Sequence, residues 1–168
     1  MNDLSLLILP EQPDDAPAIE RLYERTFGPG RFARTAYRLR EGVPHRPAYS
    51  FTARIGTLLV GSVRLTPIKI GETRALLLGP LTIEPPFRGR GIGKGLIKAS
   101  LDAAREGGAR LVLLVGDLAY YGPLGFERVP HRRVVLPGPV DPDRVLVTEL
   151  APGAFEGVAG AVKPDFGD

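Results

Sequence analysis

The sequence predicts a single α+β, or mixed α/β, domain over residues 1–150 of a 168-residue chain. Short apolar runs typical of strands are mixed with segments in which apolar residues recur every three or four positions, the spacing of an amphipathic helix. Between residues 75 and 115 a strand, a glycine-rich loop, a helix and a second strand follow one another directly. Elements of both kinds in one chain of this length favour one domain in which helices pack on a sheet.

The first 70 residues are predicted to form a strand, two helices and a hairpin. An apolar run at residues 4–9 stops at Pro10 and predicts the first strand. A helix is expected to begin near Asp14, where acidic residues precede a proline, and to end at Gly28. The remaining elements are a basic helix over residues 32–41 and a hairpin of strands 48–54 and 57–70, with a bulge at Gly61.

The second half of the chain is predicted to be richer in strands. Residues 75–83 form a long apolar run that Gly79 and Pro80 interrupt. Because a proline inside a strand cannot donate a backbone hydrogen bond, we expect a bulge or a sheet edge at this point. Residues 151–168 are rich in glycine and alanine and are expected to form a poorly ordered tail. The elements in between are a helix ending near residue 105, strands over 110–115, 132–136 and 144–150, and a short turn or helix over 118–124.

The composition excludes several classes of function. The chain has no cysteine, so it cannot form disulfides, thiolate metal sites or a cysteine acyl-enzyme. Its two histidines lack metal-site spacing, and we expect no metal. The net charge of +3 suits a small anionic ligand, but with 7% aromatic residues it does not indicate nucleic acid. No apolar run has the length of a membrane span and no signal peptide is evident, so a cytoplasmic protein without membrane contact is expected.

The loop over residues 88–95 carries the strongest chemical signal. It contains four glycines within seven residues, together with two arginines and a lysine, and it connects a predicted strand to a predicted helix. Glycines allow tight turns, and the start of a helix presents unpaired N–H groups with a partial positive charge. This arrangement predicts a phosphate or pyrophosphate site. Neither the P-loop pattern nor the dinucleotide fingerprint fits the glycine spacing.

Two motifs resemble the GNAT superfamily of N-acetyltransferases. The residues Arg88-Gly89-Arg90-Gly91-Ile92-Gly93 match the pattern Arg/Gln-x-x-Gly-x-Gly/Ala of that superfamily. Downstream, Tyr121 stands four residues before Gly125-Phe126, as in the Tyr-x-x-x-Gly-Phe pattern found in many members. The segment from Gly116 to Gly122 also resembles the subgroup of YhbS-like acetyltransferases, although this similarity says little about the substrate.

The resemblance implies a fold, a cosubstrate and a set of site residues. The expected fold has a mostly antiparallel central sheet, splayed at the cofactor strand, with helices on both faces. The expected cosubstrate is acetyl-CoA, with Tyr121 as the general acid that protonates the departing thiolate. The residues expected to contact coenzyme A are Leu81 and Ile83 on the strand and Arg88, Gly89, Arg90, Gly91, Ile92, Gly93 and Lys94 on the loop.

The general base is not evident from the sequence. Many GNAT proteins carry a carboxylate on the strand before the loop, and here the corresponding positions hold Gly79 and Pro80, which cannot act as a base. Glu84 and Asp117 are alternatives, and a base is unnecessary for an amine of low pKa. His45 is expected to be an ordinary surface or loop histidine.

Other charged residues are expected to lie on the surface. Arg31, Arg34 and Arg38 share one face of the basic helix. They either steer an acidic ligand or form a solvated face, and the solvated face is favoured. His131 is expected to be a surface histidine like His45.

These observations predict an acyltransferase that moves an acetyl group from acetyl-CoA to an amine by direct attack in a ternary complex. The absence of cysteine favours direct attack over a cysteine-linked intermediate. The expected partner is a small-molecule or peptide amine, and a homodimer is compatible with the sequence. The alternative is an acyl-CoA-binding sensor without turnover, which the absence of a carboxylate at Gly79 and Pro80 would suit.

Overall fold

The computed structural model describes residues 5–28 and 35–167, which form one sheet with helices on both faces. This architecture confirms the predicted α+β class. The strands in this described part are β1 (Leu6–Pro10), β2 (Phe51–Ile55), β3 (Leu58–Ile70), β4 (Thr73–Ile83), β5 (Leu111–Val115), β6 (Glu127–Arg128), β7 (Val134–Val135), β8 (Val145–Glu149) and β9 (Gly160–Pro164). The helices are α1 (Ala16–Phe27), α2 (Thr35–Arg40), α3 (Ile92–Glu106) and α4 (Leu118–Tyr121).

The sheet separates between its two central strands. The strand order is β1-β2-β3-β4-β5-β8-β6, and pairing is antiparallel except between β4 and β5 and between β7 and β9. The β4–β5 pairing includes only Leu76 with Val112 and Leu77 with Leu113. Beyond Leu77, β4 continues to Ile83 while paired with β3 alone. We call the resulting gap the β4–β5 opening; it is the splay that the sequence analysis expected.

The predicted irregularity at Gly79 and Pro80 lies at the start of this opening. The register between β3 and β4 shifts between Val63 and Leu65, so that Arg64 faces both Gly79 and Pro80. A proline has no N–H to donate, and a bulge accommodates this loss without breaking the strand. The bulge therefore marks the point beyond which β4 has a free edge.

Helices cover the sheet on both faces. The side chains of β5 point alternately to one face and to the other, and those on each face are buried under helices. Val112 and Leu114 point to the face covered by α3, whereas Leu111 and Leu113 point to the opposite face, where they join the cluster that contains Leu39 of α2. The side chains of α3 that are buried against Val112 and Leu114, in one hydrophobic cluster, are Ile92, Leu96, Ile97, Leu101 and Ala104. Most of these apolar positions recur three or four residues apart, the spacing of an amphipathic helix.

Helix α1 covers the face opposite α3, above the start of β3. Ile19, Leu22 and Tyr23 are buried there with Leu59 of β3. The guanidinium carbon of Arg64 lies 5.7 Å from the centre of the Tyr23 ring, so α1 also covers the polar side of β3. This position makes α1 one wall of the cavity described below.

Some elements differ in extent from their predictions. The basic helix is observed over Thr35–Arg40, and residues 32–34 of its predicted range lie outside the described residues. The strand expected over 132–136 is reduced to Val134–Val135. In the part of the chain that the structure describes, no helix is long and apolar enough to span a membrane.

The C-terminal segment differs most from its prediction, because it packs as part of the fold. Strand β9 pairs antiparallel with β3, with Val162 opposite Ile70, and pairs in parallel with β7. Val158 and Val162 are buried in the cluster beneath α2. The glycine-rich composition suggested disorder, but strand pairing and a few buried valines are enough to order the segment.

Replacing Val162 by alanine should lower the free energy of unfolding by about 2 kcal/mol, because two buried methyl groups leave a cavity. The matched control is Val135→Ala on the adjoining strand β7, where the side chain is 57% exposed. Urea denaturation of both variants measures the difference. Equal stabilities of the two variants would show that β9 does not pack on the sheet.

Candidate active site

The loop over residues 88–95, called the glycine loop below, joins the end of β4 to α3. Gly89 and Gly91 have φ angles of +78° and +80°, which side chains of L-residues rarely adopt. Gly91 is the N-cap of α3. A Cβ atom built at either glycine would meet no heavy atom within 4 Å, so the space beside the loop is open.

Positive charge and unpaired amides converge at this loop. The N–H groups of Ile92, Gly93 and Lys94 belong to the first turn of α3 and have no intrahelical carbonyl to bind. The Ile92 side chain is only 3% exposed and packs in the core, so its contact with a ligand would be through the backbone. Arg88, Arg90 and Lys94 are exposed. These features together suit a di-anionic group such as a pyrophosphate.

The free edge of β4 presents backbone groups to the β4–β5 opening. The N–H of Glu84 donates to the carbonyl of Val60 on β3 at 2.8 Å. Because successive N–H groups of a strand alternate in direction, those of Leu81 and Ile83 point away from β3 and into the opening. Leu81 and Ile83, the two strand residues predicted to contact the cofactor, therefore carry N–H groups that β3 does not bind.

Tyr120 connects the glycine loop to the opening. A Cβ atom at Gly93 would collide with the Tyr120 hydroxyl oxygen and would lie 3.7 Å from a methyl carbon of Leu81. A side chain at position 93 would therefore force the Tyr120 hydroxyl to move. The sequence analysis did not assign Tyr120 to the site, yet its ring stands between α3 and the opening.

Tyr121 packs firmly at the other side of the opening. Its ring lies against Gly116, where any Cβ atom would overlap it. Its centroid is 4.8 Å from that of Tyr120 and 5.8 Å from that of Phe126, both in edge-to-face arrangements. This packing holds the ring in one orientation. The Tyr-x-x-x-Gly-Phe spacing therefore places the tyrosine and the phenylalanine in contact.

The environment of Tyr121 keeps its hydroxyl protonated. Burial, together with nearby Tyr120 and the negative charge of Asp117, raises the pKa of Tyr121 to about 12, while the positive charge of Arg144 opposes the shift. At neutral pH the group is a hydrogen-bond donor. A phenol of such high pKa is a weak acid, so its contribution to a proton transfer is modest.

A cavity of about 940 Å³ adjoins the opening. Its wall includes Gly79 and Pro80 of the bulge, Leu81 and both Tyr120 and Tyr121, together with side chains of α1 and α2. We call it the main cavity. The glycine loop is not part of its wall, but Leu81 and Tyr120 contact Gly93 on one side and line the cavity on the other. The loop and the cavity therefore meet at the β4–β5 opening.

A charged cluster that the sequence analysis did not foresee lies at the main cavity. The carboxylate of Glu11, in a residue only 6% exposed, accepts two hydrogen bonds from Arg64, each of 3.0 Å. His45 Nε2 lies 3.0 Å from the same carboxylate. Both Arg64 and His45 line the cavity. In the sequence, the one local signal of this ion pair was Arg64, a charged residue inside the apolar run of β3.

Glu11 is held as a carboxylate by its partners. Burial alone would raise its pKa, but hydrogen bonds from His45 and Arg64, with their positive charge, outweigh burial and hold the pKa of Glu11 below its usual value. A bidentate arginine–carboxylate pair of this kind also fixes orientation. Glu11 therefore offers His45 a rigid anionic partner.

The two carboxylates considered as bases from the sequence are engaged elsewhere. Glu84 forms an ion pair of 3.0 Å with Arg25 and is not part of the cavity wall. Asp117 lines the cavity but lies 3.4 Å from Arg144, and its side chain is 74% exposed. Neither has the burial and fixed geometry of Glu11.

The remaining charged residues discussed from the sequence lie at other places. Arg38 donates to the Pro137 carbonyl at 2.9 Å, and Arg31 and Arg34 lie outside the described residues. His131 is a surface histidine that contacts Asp143 at 2.8 Å. His45 lies in a loop, as expected, but its side chain lines the main cavity. Within the described residues no group of three or more side chains could hold a metal ion.

Comparison with known proteins gives the family. The profile of the acetyltransferase (GNAT) family matches residues 16–126, which run from the start of α1 to Phe126. The chain belongs to the GNAT family. It is 31% identical over 160 residues to the uncharacterised N-acetyltransferase YhbS of Escherichia coli, covering 94% of this chain and 95% of that protein. The N-alpha-acetyltransferase RimI of Mycobacterium tuberculosis is 37% identical over 86 residues, which are 48% of this chain and 53% of RimI.

Solved structures of GNAT proteins are similar to this one. The crystal structure of E. coli YhbS in complex with CoA has a TM-score of 0.83 and 29% identity, covering 98% of this chain and 92% of that chain. A GNAT acetyltransferase of Brucella melitensis in complex with acetyl-CoA has a TM-score of 0.59 and 27% identity, covering 91% and 99%. The similarity to E. coli YhbS extends over nearly the whole of this GNAT protein.

Replacing Glu11 by glutamine should lower the free energy of unfolding of this GNAT protein by roughly 3 kcal/mol, because Arg64 keeps a poorly compensated charge. The wild type should lose this advantage as the pH falls below the ordinary pKa of a glutamate, about 4.3, and through the lower folded-state pKa of Glu11. Denaturant melts between pH 3 and 7 measure both effects. Asp102→Asn on the exposed face of α3 is the control and should have little effect; a constant difference at all pH values would contradict the assignment.

Proposed function

We propose that this GNAT protein transfers the acetyl group of acetyl-CoA to an amine by direct attack in a ternary complex. The observation that supports this most is the meeting of three features at the β4–β5 opening. The glycine loop lies on one side, the main cavity lies on the other, and the half-buried Tyr121, a hydroxyl donor, lines the cavity. The complexes of similar GNAT proteins with CoA and acetyl-CoA agree with this use of the opening.

The glycine loop has the properties needed to hold the pyrophosphate of coenzyme A. Open space beside Gly89 and Gly91 permits close approach of phosphate oxygens, and the first-turn amides of α3 can donate to them. The side chains of Arg88, Arg90 and Lys94 would add charge at the rim. In this proposal Gly93 contributes its amide and the narrow contact with Tyr120.

The edge of β4 would bind the pantetheine arm and the thioester. The unpaired backbone groups of Leu81 and Ile83 can exchange hydrogen bonds with the amides of the arm, as a neighbouring strand would. A backbone N–H on this edge can also stabilise the oxyanion that forms when the amine attacks the carbonyl carbon. The amine would enter from the main cavity.

Tyr121 would assist departure of the thiolate. As the carbon–sulfur bond breaks, its hydroxyl donates a hydrogen bond or a proton to the sulfur. A thiol has a reference pKa of about 8.5, so the thiolate is already a tolerable leaving group. The high pKa of Tyr121 keeps the donor protonated through the physiological range.

Thiol release tests the activity directly. The protein is mixed with acetyl-CoA and separately with spermidine, glucosamine and a peptide with a free N-terminus, and free CoA thiol is followed with a chromogenic disulfide. Calorimetry with acetyl-CoA measures binding independently of turnover. Amine-dependent thiol release supports the transferase. Tight binding without release for any amine would favour the acyl-CoA sensor instead.

Gly91→Ala should weaken acetyl-CoA binding by about tenfold, or ~1.4 kcal/mol, because a methyl group would occupy the space beside the loop. Gly108→Ala is a matched control at the other end of α3, with a φ of +91° and the same open surroundings. Both variants carry a similar backbone strain, and only the first should change the calorimetric affinity. Equal losses in both variants would remove the loop from the binding site.

Tyr121→Phe should lower kcat by about 10²-fold, the lower end for a general acid, with little change in acetyl-CoA affinity. Because the pKa of Tyr121 is about 12, ionisation of this group should cause no fall in wild-type activity between pH 8 and 10. Tyr49→Phe, which removes a hydroxyl bonded to the Gly107 carbonyl, is the control. Wild-type kcat in Tyr121→Phe, with chemistry rate-limiting, would leave this tyrosine a packing role only.

A further inference from the structure

The histidine in the wall of the main cavity has no role in the function proposed above. His45 lies in the loop between α2 and β2, and the N–H of the next residue, Arg46, donates to the Leu65 carbonyl of β3 at 2.8 Å. This backbone bond holds the loop against β3, beside Arg64. The His45 side chain is 26% exposed, so it is accessible without being a free surface group.

His45 lines the same cavity as the two β4 positions that lack the expected carboxylate. Gly79 and Pro80 occupy the place on β4 where a carboxylate was expected, and the residue that faces them across the bulge is Arg64. Arg64 binds Glu11, and Glu11 binds His45. Gly79, Pro80 and His45 all line the main cavity, together with Tyr121.

The contact with Glu11 determines which nitrogen of His45 can accept a proton. Nε2 lies 3.0 Å from the buried carboxylate, and a neutral imidazole in this position places its hydrogen on Nε2. The lone pair is then on Nδ1. A carboxylate behind the ring stabilises the imidazolium that forms on protonation and keeps the ring oriented, as in other histidine bases with an orienting carboxylate.

We propose that His45 is the general base of the transfer and that Glu11 is its positioning residue, an inference that rests on the proposed function. As the amine nitrogen bonds to the thioester carbonyl carbon, its proton passes to Nδ1 of His45. The carbon–sulfur bond then breaks, the sulfur takes a proton from Tyr121, and the N-acetylated amine and free CoA leave. Return of the proton from His45 to Tyr121 through solvent restores both groups.

The charges around His45 bear on its pH dependence. Glu11 and Arg64 are in the cluster itself, and their charges largely cancel. The other titratable or charged groups that line the same cavity are Glu20 and Tyr23 of α1, Tyr37 and Arg40 of α2, and, from the segments that follow β5, Asp117, Tyr120, Tyr121, Asp141 and Arg144. The loop over residues 42–47 also borders a second cleft of about 820 Å³, and His45 contributes to that wall as well, near Arg74 and Asp165.

The pH profile of His45→Gln tests the proposal, with the amine that gives most thiol release in the panel above. Glutamine retains a hydrogen-bond donor for Glu11 but cannot act as a base. In the wild type, kcat/KM should fall on the acid side, where the base becomes protonated. In His45→Gln we expect kcat to fall about 10²-fold and this acid limb to disappear, while acetyl-CoA affinity is kept. His131→Gln, at the other histidine, should retain the wild-type rate and profile.

Glu11→Gln provides a second, independent readout, measured below its melting temperature. Without the carboxylate the imidazolium is less stable, so the acid limb should move to lower pH while the maximal rate falls. A purely structural cluster would lower the rate without moving the limb. Calorimetric binding of acetyl-CoA confirms that each variant is folded.

The outcomes separate this inference from the proposed function. Wild-type turnover with an unchanged rate and acid limb in His45→Gln would overturn the role of His45 and leave the transferase intact. An acid limb in Glu11→Gln identical to that of the wild type would overturn the positioning role of Glu11. Absence of amine-dependent thiol release in the wild type would overturn the transferase, and the base assignment with it.

Discussion

The separation of β4 from β5 beyond Leu77 is the constraint on which the rest of the site depends. Parallel neighbours would normally continue to pair, but β4 contains a bulge at Gly79 and Pro80, and a proline cannot donate to a neighbouring strand. The strand remains paired with β3 and keeps a free edge on the other side. A sheet that remained closed here would have neither unpaired backbone groups nor an entrance between its faces.

The opening connects elements from both faces of the sheet. On one face, α3 begins at Gly91 and directs its first-turn amides toward the end of β4. On the other face, α1 and α2 enclose the main cavity above β3. Tyr120 and Leu81 lie between the two, where Gly93 permits their close approach. A ligand held by the loop and a second ligand in the cavity could therefore meet only through the opening.

In the proposed mechanism, the cluster of Glu11, Arg64 and His45 takes the place of a carboxylate on β4. Gly79 and Pro80 occupy the bulge positions that face Arg64, and neither residue carries a carboxylate. A buried carboxylate from the end of β1 is bound there instead, and its ion pair with Arg64 offsets part of the cost of burying both charges. The histidine completes the cluster from a loop that β3 holds in place. Structure and proposed chemistry thus depend on the same ion pair.

The sequence by itself determined the features that depend on local chemistry. Glycines at positions of positive φ, a proline that interrupts a strand, and apolar residues at helical spacing each specify a local conformation, so the glycine loop, the bulge and α3 were all predictable. Tyr121 and Phe126 are only five positions apart, so their contact also depends on local sequence. Only the tertiary structure decided the position of β9 and the cluster of Glu11 with Arg64 and His45. Those contacts join residues that lie far apart in the sequence, such as Glu11 and Arg64 at a separation of 53 positions. No short-range pattern encodes which distant residues a fold will bring together.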